Sequence, residues 1–220
     1  RCSRLRCRSR FHTEPFLSSV IERDSTSDPR RRSAPSAVRG ALGAMSLSML
    51  LASLGTSVAN VALPTLAHAF GRPFQAIQWV VLAYLLSVST LVVGAGRLGD
   101  IVGRRRLLLA GVTLFTIASL LCGLAPTLPV LVVARGAQGI GAAVMMAMTM
   151  AFVGEAVPSA RTGSAMGILA TMSAIGTALG PPLGGALLAG PGWRALFLIN
   201  VPLGIVGLLL SHRYLPVDRV

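Results

Sequence analysis

Residues 96–106 read GRLGDIVGRRR and stand between two long apolar runs of the chain. Glycine allows the tight turn and the close backbone approach that a short connection needs. Asp100 can accept hydrogen bonds from an arginine or from a helix N-terminus. A basic turn that only marks the inner side of a membrane would account for the consecutive arginines. It does not account for the whole G-x-L-x-D-x-x-G-R-R pattern, which predicts a specific loop between two membrane spans.

The chain on either side of this segment is strongly apolar. Hydrophobic residues make up 53% of its 220 residues and charged residues only 12%, with a mean hydropathy of +0.72. Soluble domains carry about 25% charged residues, so a soluble, fibrous or disordered class is excluded for most of the chain. Apolar runs of about 20 residues predict transmembrane helices, because lipid requires an internally satisfied backbone. We therefore expect an all-α membrane protein with six transmembrane helices, at residues 41–66, 77–97, 107–124, 128–153, 163–189 and 195–211.

The first 40 residues differ from the rest. They are rich in Arg, Ser and Pro and show no lasting apolar period, so we expect a disordered cytoplasmic tail over residues 1–40. The chain opens on Arg1, and its first methionine, Met45, lies inside the first apolar run. A native tail, a truncated chain and an over-extended gene start all fit this pattern.

The positive charge is distributed unevenly along the chain. All 20 basic residues are arginine, and the net charge is +13. Arginines concentrate on the cytoplasmic side of membrane proteins, so we expect a multi-pass protein of the cell (inner) membrane with a cytoplasmic N-terminus. This orientation accounts for the charge without a nucleic-acid partner. Apart from those in the tail, seven arginines then lie on the cytoplasmic side: Arg97, Arg104, Arg105, Arg106, Arg161, Arg213 and Arg219. Only two, Arg72 and Arg194, lie on the outer side.

No residue set favours enzyme chemistry. The three cysteines, Cys2, Cys7 and Cys122, form neither a C-x-x-C pair nor a Cys/His cluster, so we expect free thiols, no metal and no cofactor. The sequence also contains no nucleophile–base set and no nucleotide-binding loop with the necessary βαβ context. We therefore expect that the protein is not an enzyme.

A charged residue interrupts the fourth apolar run. Residues 131–141 read LVVARGAQGIG and place Arg135 seven residues inside the predicted helix. A charge within a span is costly and is a functional candidate by default, with Gln138 as a polar neighbour. The alternative is an arginine whose long side chain reaches back to the outer surface.

The fifth and sixth runs carry further patterns. Residues 176–185 read GTALGPPLGG, where proline inside a helix removes a hydrogen bond and flanking glycines permit a hinge or a close helix contact. A simple packing kink is the alternative. Residues 193–202 read WRALFLINVP and contain Asn200, a buried amide that needs hydrogen-bond partners.

The segment at 96–106 resembles the signature loop between helices 2 and 3 of the major facilitator superfamily. In that family the loop is a cytoplasmic latch whose acid faces a helix of the second half. The resemblance implies that Asp100 is the latch acid. Its supports would be Gly96, Gly103, Arg104 and Arg105.

The other patterns agree with this resemblance. The fourth run is similar to the family's R-x-x-x-G motif, linked to proton transfer, which implies that role for Arg135 with Gln138 beside it. The fifth resembles the G-P-x-x-G-G motif that marks antiporters. The W-R-x-x-F-x-I-N-x-P string is similar to the fourteen-helix drug:proton antiporter branch. The antiporter motif would comprise Gly176, Gly180, Pro181, Gly184 and Gly185, and the candidates for a substrate pathway are Asn60 and Asn200.

The first run departs from the branch at one position. Residues 54–64 read LGTSVANVALP and resemble its L-D-x-x-V-x-N-V-A-L-P, with Gly55 in place of the acid. No Asp or Glu lies deep in any predicted span. Because a proton carrier needs a group that titrates in the membrane, proton coupling would require an acid in another half or another mechanism.

The resemblance covers residues 41–211 and ends after the sixth helix, whereas a facilitator transporter has two six-helix halves. It implies the N-terminal half of a proton-coupled multidrug exporter that works by alternating access, with residues 212–220 as a truncated cytoplasmic end. The expected partners are a small amphipathic substrate, protons, the lipid bilayer, and a missing C-terminal half or a second copy. The alternative is a non-transporting six-helix module or relic that associates with another membrane protein.

Overall fold

The computed structural model describes the backbone of residues 35–156 and 159–214, and the side chains of residues 40–154 and 162–214. The predicted disordered tail therefore lies outside the described residues up to position 34. The end of the predicted cytoplasmic segment also lies outside them, from position 215 onward.

Within these described ranges, six apolar stretches are long enough to cross a membrane, as predicted. Five are single helices, and the sixth is made of two helices in succession. The helices are α1 (Pro35–Phe70), α2 (Phe74–Val102), α3 (Arg104–Leu124), α4 (Leu128–Ala156), α5 (Ser159–Ala189), α6 (Trp193–Leu198) and α7 (Asn200–Tyr214).

The helix boundaries differ from the prediction mainly at the start of α1 and at the end of α2. Helix α1 begins at Pro35 rather than 41, and α2 continues to Val102 rather than 97. The segment GRLGDIVGRRR is therefore mostly helical, and the predicted turn shrinks to Gly103, whose φ is +101°. A single residue in this region of φ, which favours glycine, is enough to end α2 and begin α3. Gly96 and Gly99 lie within the helix instead of in the turn.

The sixth span is divided at Ile199 where a single helix was predicted over residues 195–211, although Ile199 keeps helical φ and ψ angles of −61° and −27°. Helix α6 ends at Leu198 and α7 begins at Asn200. Proline has no backbone N–H, and its ring clashes with the carbonyl four residues earlier. Pro202 stands four residues after Leu198, so the break falls where the proline cannot support the helix.

Helix α4 lies against both α2 and α3 at very close range. A Cβ atom on Gly139 would come within 2.6 Å of the Tyr84 carbonyl oxygen of α2. A Cβ atom on Gly141 would come within 2.7 Å of the Phe115 backbone nitrogen of α3. Backbones approach this closely only where a side chain is missing, as in small-residue contacts between membrane helices. These contacts bring polar backbone atoms of α2 and α3 near the middle of α4.

One face of α2 is apolar and uncovered. Trp79, Val93 and Ile101 are 53%, 75% and 80% exposed, respectively. They stand with Leu86 at spacings of seven or eight residues, which places them along one side of the helix. An exposed apolar stripe of this length is suited to lipid or to another membrane helix.

Candidate functional site

The Arg135 side chain is completely buried, at 0% exposure. Its Nε donates to the carbonyl of Val80 in α2 at 3.1 Å, and its Nη1 donates to the carbonyl of Gly55 in α1 at 3.2 Å. A carbonyl oxygen has two lone pairs, so it can serve its own helix and a guanidinium together. The alternative that Arg135 reaches back to the outer surface is wrong, because the guanidinium lies among α1, α2 and α4.

Two aromatic rings flank this guanidinium. The Cζ of Arg135 lies 4.3 Å from the centroid of the Tyr84 ring and 5.8 Å from that of Phe197 in α6. A cation over an aromatic face is stabilised by about 2 kcal/mol when both are desolvated. The Tyr84 hydroxyl in turn donates to the carbonyl of Ala52 at 2.9 Å, which ties α2 to α1.

Gln138 extends the arginine's contacts to α3. Its Oε1 accepts from Nη1 of Arg135 at 2.6 Å, and its Nε2 donates to the Ser119 hydroxyl at 2.8 Å. The Ser119 hydroxyl donates a hydrogen bond to the Phe115 carbonyl at 2.7 Å. The buried thiol of Cys122 lies 4.0 Å from the same Gln138 oxygen. The structure thus brings together Arg135 and Gln138, which the sequence analysis singled out.

Among the described residues, the charged guanidinium of Arg135 contacts only neutral hydrogen-bond acceptors. Asp100 is the one carboxylate among the described side chains, and it stands twenty residues along α2 from Val80. At 1.5 Å per residue that is about 30 Å. The Nη2 of Arg135 is buried with no hydrogen-bond partner. The network therefore satisfies part of the guanidinium and leaves its charge uncompensated.

The glycine motif of α5 packs on α1. Three of its glycines, each four residues apart, are buried against α1: a Cβ atom on Gly176 would lie 2.7 Å from the Leu50 carbonyl oxygen, one on Gly180 would overlap Ser57, and one on Gly184 would lie 3.2 Å from Val61. Two hydroxyl contacts run alongside. Ser53 and Ser173 share a hydrogen bond of 2.7 Å, and Ser57 donates to the Thr177 carbonyl at 2.8 Å.

The remaining motif positions face away from α1. Pro181 is exposed, and α5 continues through it to Ala189. Gly185 is also exposed, with nothing within 4 Å of an added Cβ atom. Three residues of the motif thus contact α1, whereas Pro181 and Gly185 lie on an exposed face of α5.

The loop motif forms a local ion pair. Arg104 Nη2 lies 2.8 Å from Asp100 Oδ1, and its Nη1 donates to the Ala151 carbonyl of α4 at 3.1 Å. Arg105 Nη2 donates to the His212 carbonyl of α7 at 2.7 Å. These bonds hold the α2–α3 turn to the ends of α4 and α7. Gly96 has nothing within 4 Å of an added Cβ atom, so it supports the loop through no close contact.

The two asparagine candidates lie in different surroundings. Asn60 is exposed on α1, whereas Asn200 is 1% exposed at the start of α7. The Asn200 amide donates weakly to the Leu196 carbonyl at 3.5 Å, and its oxygen has no partner. No described hydrogen bond joins them.

Sequence reasoning missed several members of the arginine network. Tyr84 and Ser119 are polar residues in apolar runs, which is a signal of a buried hydrogen bond but does not name the partner. Phe197 belongs to the WRALFLINVP segment, but that pattern did not indicate a contact with Arg135. The carbonyls of Gly55 and Val80 left no sequence signal, because every residue carries one.

Comparison with known proteins decides the family. The model of the Major Facilitator Superfamily matches residues 45–220. The chain belongs to the Major Facilitator Superfamily. Its six transmembrane helices form one half of that fold, in a multi-pass membrane protein.

Individual relatives agree with this assignment. The chain is 42% identical over 172 residues to the multidrug resistance protein Stp of Mycobacterium tuberculosis, covering 78% of this chain and 32% of Stp. It is 38% identical to the riboflavin transporter RibZ of Clostridioides difficile, covering 77% of this chain and 37% of RibZ. The chain thus spans about a third of the length of these curated relatives. The solved structure of the proton:xylose symporter XylE has the same fold, with a TM-score of 0.72 at 18% identity, over 80% of this chain and 44% of XylE.

The α5 motif allows a matched test of helix packing. Gly176→Ala should lower the free energy of unfolding by about 1–3 kcal/mol, because the new methyl group meets the Leu50 carbonyl and a backbone atom cannot move aside cheaply. Gly185→Ala is the control on the same helix, since its methyl group enters open space. Thermal unfolding of the purified protein in detergent measures both, and equal melting temperatures would contradict the α1–α5 contact.

Proposed function

We propose that the protein exports small amphipathic compounds in exchange for protons, by alternating access of two six-helix halves. The observation that carries this proposal is the fully buried charge of Arg135 at the crossing of α1, α2 and α4. A charge in a membrane helix is expensive and is retained chiefly for function. The multidrug-resistance name of Stp supports export of drug-like compounds, while the name of RibZ shows that a relative carries a vitamin.

Arg135 and Gln138 are the proposed proton-transfer and gating residues. Their direct hydrogen bond reaches Ser119 through the Gln138 amide, so a change at one end alters the contacts of α3 and α4. Gly55 supplies a carbonyl where the resembled branch has an acid. Proton exchange would therefore use a titrating acid in a second half, or another mechanism.

Two other motifs fit a rocking movement. The glycines of α5 give α1 a smooth, close contact on which helices can slide, and the resemblance to the antiporter motif favours export. Asp100 is 61% exposed, and its bonds to Arg104 both use Oδ1. The second oxygen is thus open to a helix of a second half, as proposed for the cytoplasmic latch.

The proposed partners are a C-terminal half or a second copy, the bilayer, the substrate and protons. The proposed location is the cell (inner) membrane with the N-terminus in the cytoplasm. The bond between Arg105 and His212, which holds the α2–α3 turn beside the end of α7, supports this topology. The exposed Arg72, in the α1–α2 connection, stands at the opposite end of α2 from that turn, which supports it as well.

Cysteine labelling tests this orientation. In a Cys2→Ser, Cys7→Ser background, an impermeant maleimide should label Arg72→Cys in intact cells. It should label Arg213→Cys only after the membrane is permeabilised, while buried Cys122 stays unlabelled. The reverse order of labelling would contradict the proposed topology.

A substitution at the buried charge tests the function. In the native full-length polypeptide, Arg135→Ala should abolish drug resistance of a sensitive host, because the cation and its bonds to α1 and α2 are lost. Val133→Ala is the control: it lies on the same helix and is 74% exposed. Membrane levels by immunoblot confirm insertion of both variants. Full resistance with Arg135→Ala would remove the assigned role.

A further inference from the structure

The electrostatics around Arg135 point to the kind of substrate. Every acceptor that the described part of the chain offers to its guanidinium is neutral: two backbone carbonyls and one amide oxygen. The rings of Tyr84 and Phe197 add neutral quadrupoles, not a counter-charge. The site keeps a full positive charge in surroundings of low dielectric constant, where a charge acts over long distances and with little screening.

Position 55 shows why no acid neutralises this charge from within α1. Gly55 has no side chain, and the ring of Phe115 fills the adjacent space: an added Cβ atom would lie 3.3 Å from Phe115 Cζ. It would lie 3.9 Å from the Gln138 Nε2. A side chain at position 55 would therefore lie next to the arginine network. In this chain the Phe115 ring occupies that space instead.

The guanidinium also keeps unused donors. Arg135 Nη2 is buried and has no hydrogen-bond partner. A carboxylate or sulfonate is the group that best matches the planar donors of arginine. On α1, the residue after Gly55 is half-buried Thr56, and Asn60 further along the helix is exposed. A polar face of α1 thus begins beside the carbonyl that Arg135 holds.

We infer that the uncompensated Arg135 makes this half select amphipathic organic anions over cations. This inference rests on the proposed export function and specifies its substrate class. An anionic group beside the exposed Asn60 of α1 gains from the field of the buried arginine without displacing its existing bonds. The spare Nη2 protons are available to that group when the helices separate. A cation of the same size meets repulsion at the same place.

Binding of three matched probes to the purified native polypeptide tests the inference. Dansylglycine, dansylglycinamide and dansylethylenediamine share one fluorophore and carry a negative, a neutral and a positive group. The wild type should bind them in that order of affinity, with at least about a tenfold preference for the anion over the cation, as a partly screened charge–charge interaction gives. Equal binding, stronger binding of the cation, or no binding of any probe would overturn the inference.

Substitutions at position 55 supply the matched control. Gly55→Asp places a carboxylate beside Arg135 and should abolish or reverse the preference. Gly55→Asn has nearly the same shape without the charge and should keep the order of the wild type. If either variant fails to fold against the Phe115 ring, the same pair in a Phe115→Leu background provides the space. Retention of the anion preference in Gly55→Asp would contradict the role of the charge.

A transport assay distinguishes failure of the proposed export function from failure of the inferred anion preference. Probe binding with the expected order, but no export of the anion from energised vesicles, would remove the proposed export function and leave the binding preference standing. Export of the cation in preference to the anion would support the transporter and overturn the inference about charge.

Discussion

The burial of one cation organises the described bundle. Lipid cannot solvate a guanidinium, so Arg135 must find its acceptors inside the protein. It takes them from α1 and α2 and, through Gln138, reaches α3, while Phe197 of α6 lies against it. One side chain of α4 thus contacts or connects five of the six spans. Any movement that separates these helices must also move a charge, which couples helix packing to electrostatics.

That arrangement depends on glycines at the helix contacts, where the lack of a side chain lets neighbouring helices approach closely. Gly139 lets α2 lie so close to α4 that the Val80 carbonyl comes within reach of its arginine, and Gly141 lets α3 approach closely enough for Ser119 to meet Gln138. Helix α5 is held differently, by a glycine row and two hydroxyl contacts on α1. Glycine costs helix stability, about 1 kcal/mol per residue relative to alanine, so these rows persist because close approach compensates for it.

Hydropathy alone predicted the six spans, since the bilayer sets their length and composition. It did not predict where they end. Gly96 and Gly99 read as turn residues but continue α2, because the helix hydrogen bonds outweigh their flexibility. Pro202 could have indicated the break in the sixth span. The arginine network was predictable only in part: a buried charge with a nearby amide is visible in sequence, whereas Tyr84 and the carbonyls of Gly55 and Val80 are brought to it by tertiary packing.

The energetic link between Arg135 and Gln138 is therefore the interaction on which the bundle depends most. A double-mutant cycle with Arg135→Met, Gln138→Leu and the double variant, measured by unfolding in detergent, tests it directly. Each single change leaves a buried polar partner unpaired, whereas the double change removes both. The predicted result is a double variant less destabilised than the sum of the singles, with a coupling energy of about 1–3 kcal/mol. Strict additivity would contradict a structure organised around this bond.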